Sequence, residues 1–154
     1  MKTLSAFSSL VGVALLMGAS ALWGQVSTQS TDDTTVPWPP VATFSILGYD
    51  PDTGEVGGAV QSRVFAVGNG VLWAEANVGV VTTQAIVDVS YGPQGLELLR
   101  QGLGPQQIVE RLLSDDPDPR PEQWTKLGRQ FSVMDSQGNV ATHTGSRASA
   151  WAGH

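Results

Sequence analysis

The spacing of hydrophobic and polar positions changes twice along the chain. From Thr43 to Tyr49, apolar residues alternate in part with small or polar ones, the period of a half-buried strand. Asp50–Gly54 is a turn sequence: Pro51 presets φ, and Gly54 supplies the positive φ that closes the loop. Glu55–Gln61 returns as a second strand, so residues 43–62 read as a hairpin. Gly57 and Gly58 weaken that strand unless something packs closely on its backbone. Val71–Ala76 and Gly79–Gln84 read as another pair of strands, and the apolar, β-branched run of the second predicts burial on both faces. The period then lengthens. Gly92-Pro93 opens a helix with Leu96, Leu99 and Leu103 on one side. Gly102 and Gly104 break it, and Pro105 starts a second helix whose stripe is Ile108, Val109, Leu112 and Leu113, ended by Asp115–Pro119. Gln130–Asp135, a turn at Ser136–Asn139 and Val140–Thr144 form a last hairpin. Strands, two short helices, then strands predict an α+β fold rather than alternating βαβ units.

The N-terminal stretch has a different grammar. Lys2 precedes an uncharged apolar run, Leu10–Ala19, and Ala19-Ser20-Ala21 fits a small-residue cleavage site. The run is shorter than the ~20 residues that a spanning helix needs. Residues 1–24 are therefore expected to be a signal peptide, the protein exported to the periplasm or the extracellular space, and no stable membrane span expected after cleavage. Residues 25–41 read as a linker, polar at first and then held extended by Pro37, Pro39 and Pro40. The folded domain is expected over 42–154.

Composition narrows the chemistry. Charged residues are 14% of the 154, against about 25% in an average soluble protein, which suits strands covered on both faces. The net charge is −6, and the eight basic residues are scattered singly, so a nucleic-acid partner is not expected. There is no cysteine and there are two histidines, which removes disulfides, thiolate zinc sites and a Cys nucleophile. No metal and no cofactor are expected. No G-x-S-x-G elbow and no phosphate-cradling P-loop occur.

One position offers chemistry without a histidine. Thr43 begins the first strand, and a threonine freed as an N-terminus can use its own α-amine, of pKa about 7.7–8.0, as general base. A threonine at a strand start is more commonly just a β-former, and spacing alone favours that.

Several short motifs, in order, resemble the domain of unknown function 1028 family: Thr43–Ser62 as a whole, Phe65–Gly68, Trp73–Ala76, Thr83-Gln84, Tyr91–Pro93, Gly95–Leu99, His143–Ser146 and Trp151–His154. The resemblance runs from Thr43 to the last residue. It implies the fold of N-terminal-nucleophile (Ntn) hydrolases, a four-layer αββα sandwich, here incomplete at the C-terminus because the family continues beyond the motif matched by Trp151–His154. It also implies Thr43 as nucleophile, provided that something cuts after Ala42.

Around Thr43 the candidates are strand-end polar groups. Gln61 and Ser62 end the strand that pairs with it and could orient substrate or donate to an oxyanion. Glu75 lies among apolar residues; it either faces inward, where its carboxylate needs a partner, or outward as a solvated residue. Thr83 and Gln84 end an apolar strand. His143 is more commonly a structural histidine, but the family motif raises it to a candidate. Arg147 reads as a surface residue. Trp73, Trp124 and Trp151 could form a sugar platform, but core packing is their more common use.

The expected function is that of an exported Ntn-type amidohydrolase acting on a small-molecule substrate, with a non-catalytic periplasmic or secreted binding protein on the same fold as the alternative. A carbohydrate-binding β module is a weaker third. Self-association into a homo-oligomer is left open by the sequence.

Overall fold

The structure, a computed structural model, describes residues 42–154. The signal peptide and linker expected over 1–41 lie outside these residues. The fold is mixed, with helices and two antiparallel sheets, compatible with the α+β expectation.

The first hairpin forms as its turn sequence dictates. Strands β1 (Phe44–Tyr49) and β2 (Val56–Gln61) pair antiparallel with Ser45 opposite Val60 and Leu47 opposite Gly58. At the turn, the Asp50 carboxylate accepts the Asp52 N–H at 2.9 Å, and Gly54 sits at φ 74°. These two strands make a sheet of their own. The second sheet has four strands in the order β3 (Leu72–Glu75), β4 (Gly79–Ala85), β5 (Arg129–Asp135) and β6 (Val140–Thr144), all antiparallel. Between β4 and β5 run α2 (Tyr91–Arg100) and α3 (Pro105–Asp115), followed by the short α4 (Pro121–Trp124) and a 3-10 turn at Lys126–Gly128. A one-turn helix, α1 (Gly68–Val71), occupies a stretch whose Gly68 and Gly70 suggest only a turn. At the start of α3, Pro105 takes the first position, and the Gln107 side chain accepts the Gly104 backbone N–H at 3.1 Å.

Side chains alternate across a strand, and residues directly opposite share a face, so the register assigns both faces of the large sheet. Val81 lies between Trp73 and Val133, and Phe131 between Thr83 and His143; this face meets α2 and α3. The main core forms there, from Val81, Phe131 and Val133 with Tyr91, Leu96, Ile108, Val109 and Leu112, and the Tyr91 and Phe131 rings meet edge-on at 4.8 Å. At Gly92 the α2 backbone lies directly against the Trp73 indole, so that a Cβ would overlap the ring. The other face carries Leu72, Val80, Gln84, Gln130 and Met134, and the β1–β2 hairpin lies over it. Of the glycine pair, Gly58 has the predicted close neighbour, a Cβ there standing 3.0 Å from the Leu72 side chain, whereas a Cβ at Gly57 would meet open space. Tyr49 packs over Gly138 in the β5–β6 turn, while Ser45 reaches Gln84 at the opposite end of β4. The layers are helices, four-stranded sheet, two-stranded sheet.

A buried charge network fastens the start of β5. The Asp116 carboxylate accepts the Tyr91 hydroxyl at 2.7 Å and Arg129 Nε at 2.9 Å on one oxygen, and the Asp118 N–H at 2.7 Å on the other. Arg129 also donates to the Ile86 carbonyl at 3.1 Å and lies 3.7 Å from Asp88. Burial pushes the Asp116 carboxyl up, but the hydrogen bonds from Arg129 and Tyr91 outweigh it and hold the group below the usual carboxylate range. The tryptophans divide. Trp73 packs on the core, whereas Trp124 and Trp151 are 54% and 98% exposed, so the core-packing expectation fails for those two. No helix of the described residues is long and apolar enough to cross a membrane.

Candidate functional site

Thr43 stands one residue before β1, and extending the hairpin register by one pair sets it opposite Ser62. Their hydroxyl oxygens are 2.8 Å apart, and Ser62 Oγ also accepts the Val64 backbone N–H at 3.1 Å. Neither hydroxyl is bonded to a carboxylate, an amine or an imidazole among the described residues. Ala42, the residue before, is exposed.

Two residues along the same side of β1, Ser45 begins a ladder of hydroxyl and amide side chains that ends at the His154 imidazole. Ser45 Oγ donates to Gln84 Oε1 at 2.9 Å, and Gln84 Nε2 donates to Gln130 Oε1 at 2.8 Å. Gln130 Nε2 donates to Thr144 Oγ1 and to the Gly153 carbonyl, both at 3.0 Å. Thr144 Oγ1 in turn lies 3.0 Å from His154 Nδ1. The ladder thus passes from the small sheet across β4, β5 and β6 to the C-terminal segment. The Ser132 and Thr142 hydroxyls, 2.8 Å apart, lie beside it on the same face of β5 and β6.

Of the residues singled out in the sequence, three lie on one side of the hairpin: Thr43 and Ser62 touch, and Gln84 bonds to Ser45, two residues along from Thr43. Three do not. Gln61 is paired with Phe44 and shares its exposed outer face, turned away from Thr43 and Ser62. Glu75 lies opposite Gly79, five residues along β4 from Gln84 and so roughly 17 Å away. It stands at the end of the helix-side face, partly exposed, with Arg100 of α2 as its ion-pair partner, whose hydrogen bond holds its carboxyl below the usual range. His143 lies opposite Phe131 on the helix side, with ring centroids 5.7 Å apart, and burial lowers its pKa. Thr83 also faces the helices, fully buried, its hydroxyl without a partner among the described residues. Arg147 is exposed.

Four members were not singled out: Ser45, Gln130, Thr144 and His154. Ser45 shares parity with Thr43, which the sequence does carry. Gln130 and Thr144 join only because β4 pairs β5 and β5 pairs β6 in this register.

A cleft of about 780 Å³ opens at the far end of the hairpin, lined by Tyr49, Asp50, Glu55, Val56, Glu75 and Asn77 among others. It includes no member of the ladder. Among the described residues no group of three or more His, Asp or Glu side chains is placed to hold a metal ion.

The model of a family of unknown function, DUF1028, matches residues 43–154, beginning at Thr43. The chain is similar to a crystal structure of protein SPO2555 from Silicibacter pomeroyi, also assigned to DUF1028, at 36% identity and a TM-score of 0.60. The likeness covers 68% of this chain and 45% of that one, so the chain spans less than half the length of that relative. No curated protein matches.

Proposed function

Since the chain belongs to the DUF1028 family, a family of unknown function, we propose that it is an exported Ntn-type amidohydrolase with Thr43 as its nucleophile. The observation that carries this reading is the Thr43–Ser62 hydroxyl pair at the head of β1, which has no ionisable partner among the described residues. A hydroxyl there needs a base, and the base within reach is the α-amine that Thr43 would gain if the Ala42–Thr43 bond were cut. That amine, with a reference pKa of about 7.7–8.0, is partly neutral near neutral pH. It would take the Thr43 proton as Oγ1 attacks an amide carbonyl, then pass the proton to the leaving amine. The resulting ester on Thr43 would be released by water. Polar groups at the strand ends, Gln84 and Ser45 foremost, would hold the oxyanion. The order of helices, large sheet and small sheet agrees with three layers of an αββα sandwich, and the exposed outer face of β1–β2 is where the fourth would lie.

The test is the first residue of the mature protein, read by mass spectrometry, together with turnover of small amides and ureido compounds. A start at Thr43 and loss of turnover in Thr43→Ala are the expected outcomes. A start near Leu22 or Gln25, or unchanged turnover in Thr43→Ala, overturns the mechanism. One observation favours the second reading, a non-catalytic binding protein: with Ala42 joined to Thr43, the Thr43 nitrogen is an amide and no base.

A further inference from the structure

We propose that the Ser45–Gln84–Gln130 ladder makes this site select an uncharged carboxamide or ureido group over a carboxylate, with Gln84 as the residue that reads the difference. The proposal deepens the reading of the Thr43 end as a substrate site and rests on it.

The Gly153 carbonyl can only accept. The Gln130 side-chain atom 3.0 Å from it is therefore the NH2 group. Its two N–H bonds go to Gly153 and to Thr144 Oγ1, so the Gln130 oxygen faces Gln84 and must accept. That fixes the Gln84 amide in turn: NH2 toward Gln130, oxygen toward Ser45, whose hydroxyl donates. Turning either glutamine over would set oxygen against oxygen or NH2 against NH2. Gln130 is 7% exposed, so such a mismatch would leave buried polar groups unpaired.

The locked ladder leaves one N–H of Gln84 without an acceptor among the described residues, on a half-buried side chain. It also leaves lone pairs on Ser45, on the same side of β1 as the Thr43 hydroxyl and two residues along from it. The face therefore offers a fixed donor together with acceptors, all neutral. An amide or urea matches this with one carbonyl and its own N–H groups. A carboxylate brings acceptors only and a charge; no Lys or Arg is bonded into the ladder, and its one ionisable member, His154, stands at the opposite end from Ser45, beyond Thr144. Arg63, next to Ser62, and Arg147 are both exposed. Desolvating an unpaired carboxylate here is unfavourable, and a fixed donor that finds no proper partner discriminates more strongly than apolar contact does.

The experiment measures binding by NMR titration of the full chain carrying Thr43→Ala, so that turnover cannot consume the ligand. The probes are matched pairs, benzamide with benzoate and phenylurea with phenylacetate. The uncharged member of each pair should bind at least about tenfold more tightly. Gln84→Met, which keeps the length but removes the donor, should bring the two within about twofold. Gln130→Met, which frees Gln84 to turn over, should do the same while weak binding persists. Should either variant fail to fold, Ser45→Ala, outside the four-stranded core, reads the same lock. Equal or tighter binding of the acids, binding of neither member of any pair, or undiminished selectivity in the folded variants overturns the proposal. A mature N-terminus upstream of Thr43 would overturn the catalytic reading yet leave this selectivity in place, so the two failures are distinguishable.

Discussion

Asp116 tests how the large sheet holds the ladder in place. Arg129 and Gln130 are neighbours on β5 with opposite faces, so the charge network that fastens Arg129 among the helices also fixes where Gln130 stands. In Asp116→Ala three hydrogen bonds to one carboxylate disappear, each worth about 1.5–3 kcal/mol as a bond to a charged group. Their sum overstates the loss, because removing the carboxylate also removes its own desolvation cost. What remains is the Arg129 guanidinium, 5% exposed, with Asp88 at 3.7 Å and the Ile86 carbonyl as its residual partners. Breaking a buried pair from one side costs about 3–5 kcal/mol. Against a domain stability of roughly 5–15 kcal/mol, that is a large share. With a urea dependence of about 2 kcal/mol per molar, the midpoint should fall by roughly 2 M, followed through Trp73 fluorescence. Replacing both partners, Asp116→Leu with Arg129→Met, should recover more than half of the loss, because no charge is then left buried alone. A loss below about 1 kcal/mol in Asp116→Ala, or a double variant as unstable as the sum of the singles, would refute the reasoning.

Three further outcomes follow from the packing. His143 has its pKa lowered by burial, with the nearby His154 adding to the effect. Above the unfolded value of about 6.5 both states are neutral; as pH falls below it the unfolded chain binds the proton first, so stability should drop until the lowered folded value is passed. His143→Gln should remove that part of the slope in thermal melts recorded across this range, and an unchanged slope would contradict the assignment. Thr83→Val keeps the shape and removes a buried hydroxyl with no partner among the described residues; it should raise stability by about 1 kcal/mol in urea unfolding, and a loss of that size would mean the hydroxyl is bonded. Gly92→Ala drives a methyl into the Trp73 indole and should cost about 1–3 kcal/mol, with a shift in Trp fluorescence on folding; a neutral result would show that α2 can slide.

The local elements were legible because each depends on neighbours in sequence. The Asp50–Gly54 turn, the Pro105 helix start and the Leu96–Leu99 part of the leucine stripe are short-range statements and stand where the periodicity sets them; Leu103, expected on the same helix, lies past the end of α2 at Arg100. The partition into two sheets was not legible. Both hairpins read alike, and nothing in Val71–Gln84 announces that β4 pairs with β5, separated from it by two main helices, rather than with the first hairpin. Long-range pairing depends on which faces cover one another, and that emerges only when the whole core is assembled. The short α1 also escaped, since Gly68 and Gly70 disfavour a helix and tertiary packing overrides them.

The site divides along the same line, and strand parity explains the division. Thr43, Ser45 and Ser62 belong to one hairpin whose register follows from its turn, so their meeting could in principle be counted off the sequence. Gln61 fails by one residue: it is Ser62's neighbour, and a single step along a strand reverses the face. The same step separates Thr144, which bonds Gln130 in the ladder, from His143, which packs on Phe131 among the helices. His143 attracted notice because imidazole is versatile chemistry, yet its position gives it a structural neighbour and a lowered pKa. Gln130 attracted none, because a glutamine in a strand carries no signal of its own. Its role arises from three partners supplied by β4, β6 and the C-terminal segment together, and from one carbonyl that can only accept. The direction of the whole ladder is set by that last contact, far in sequence from Thr43.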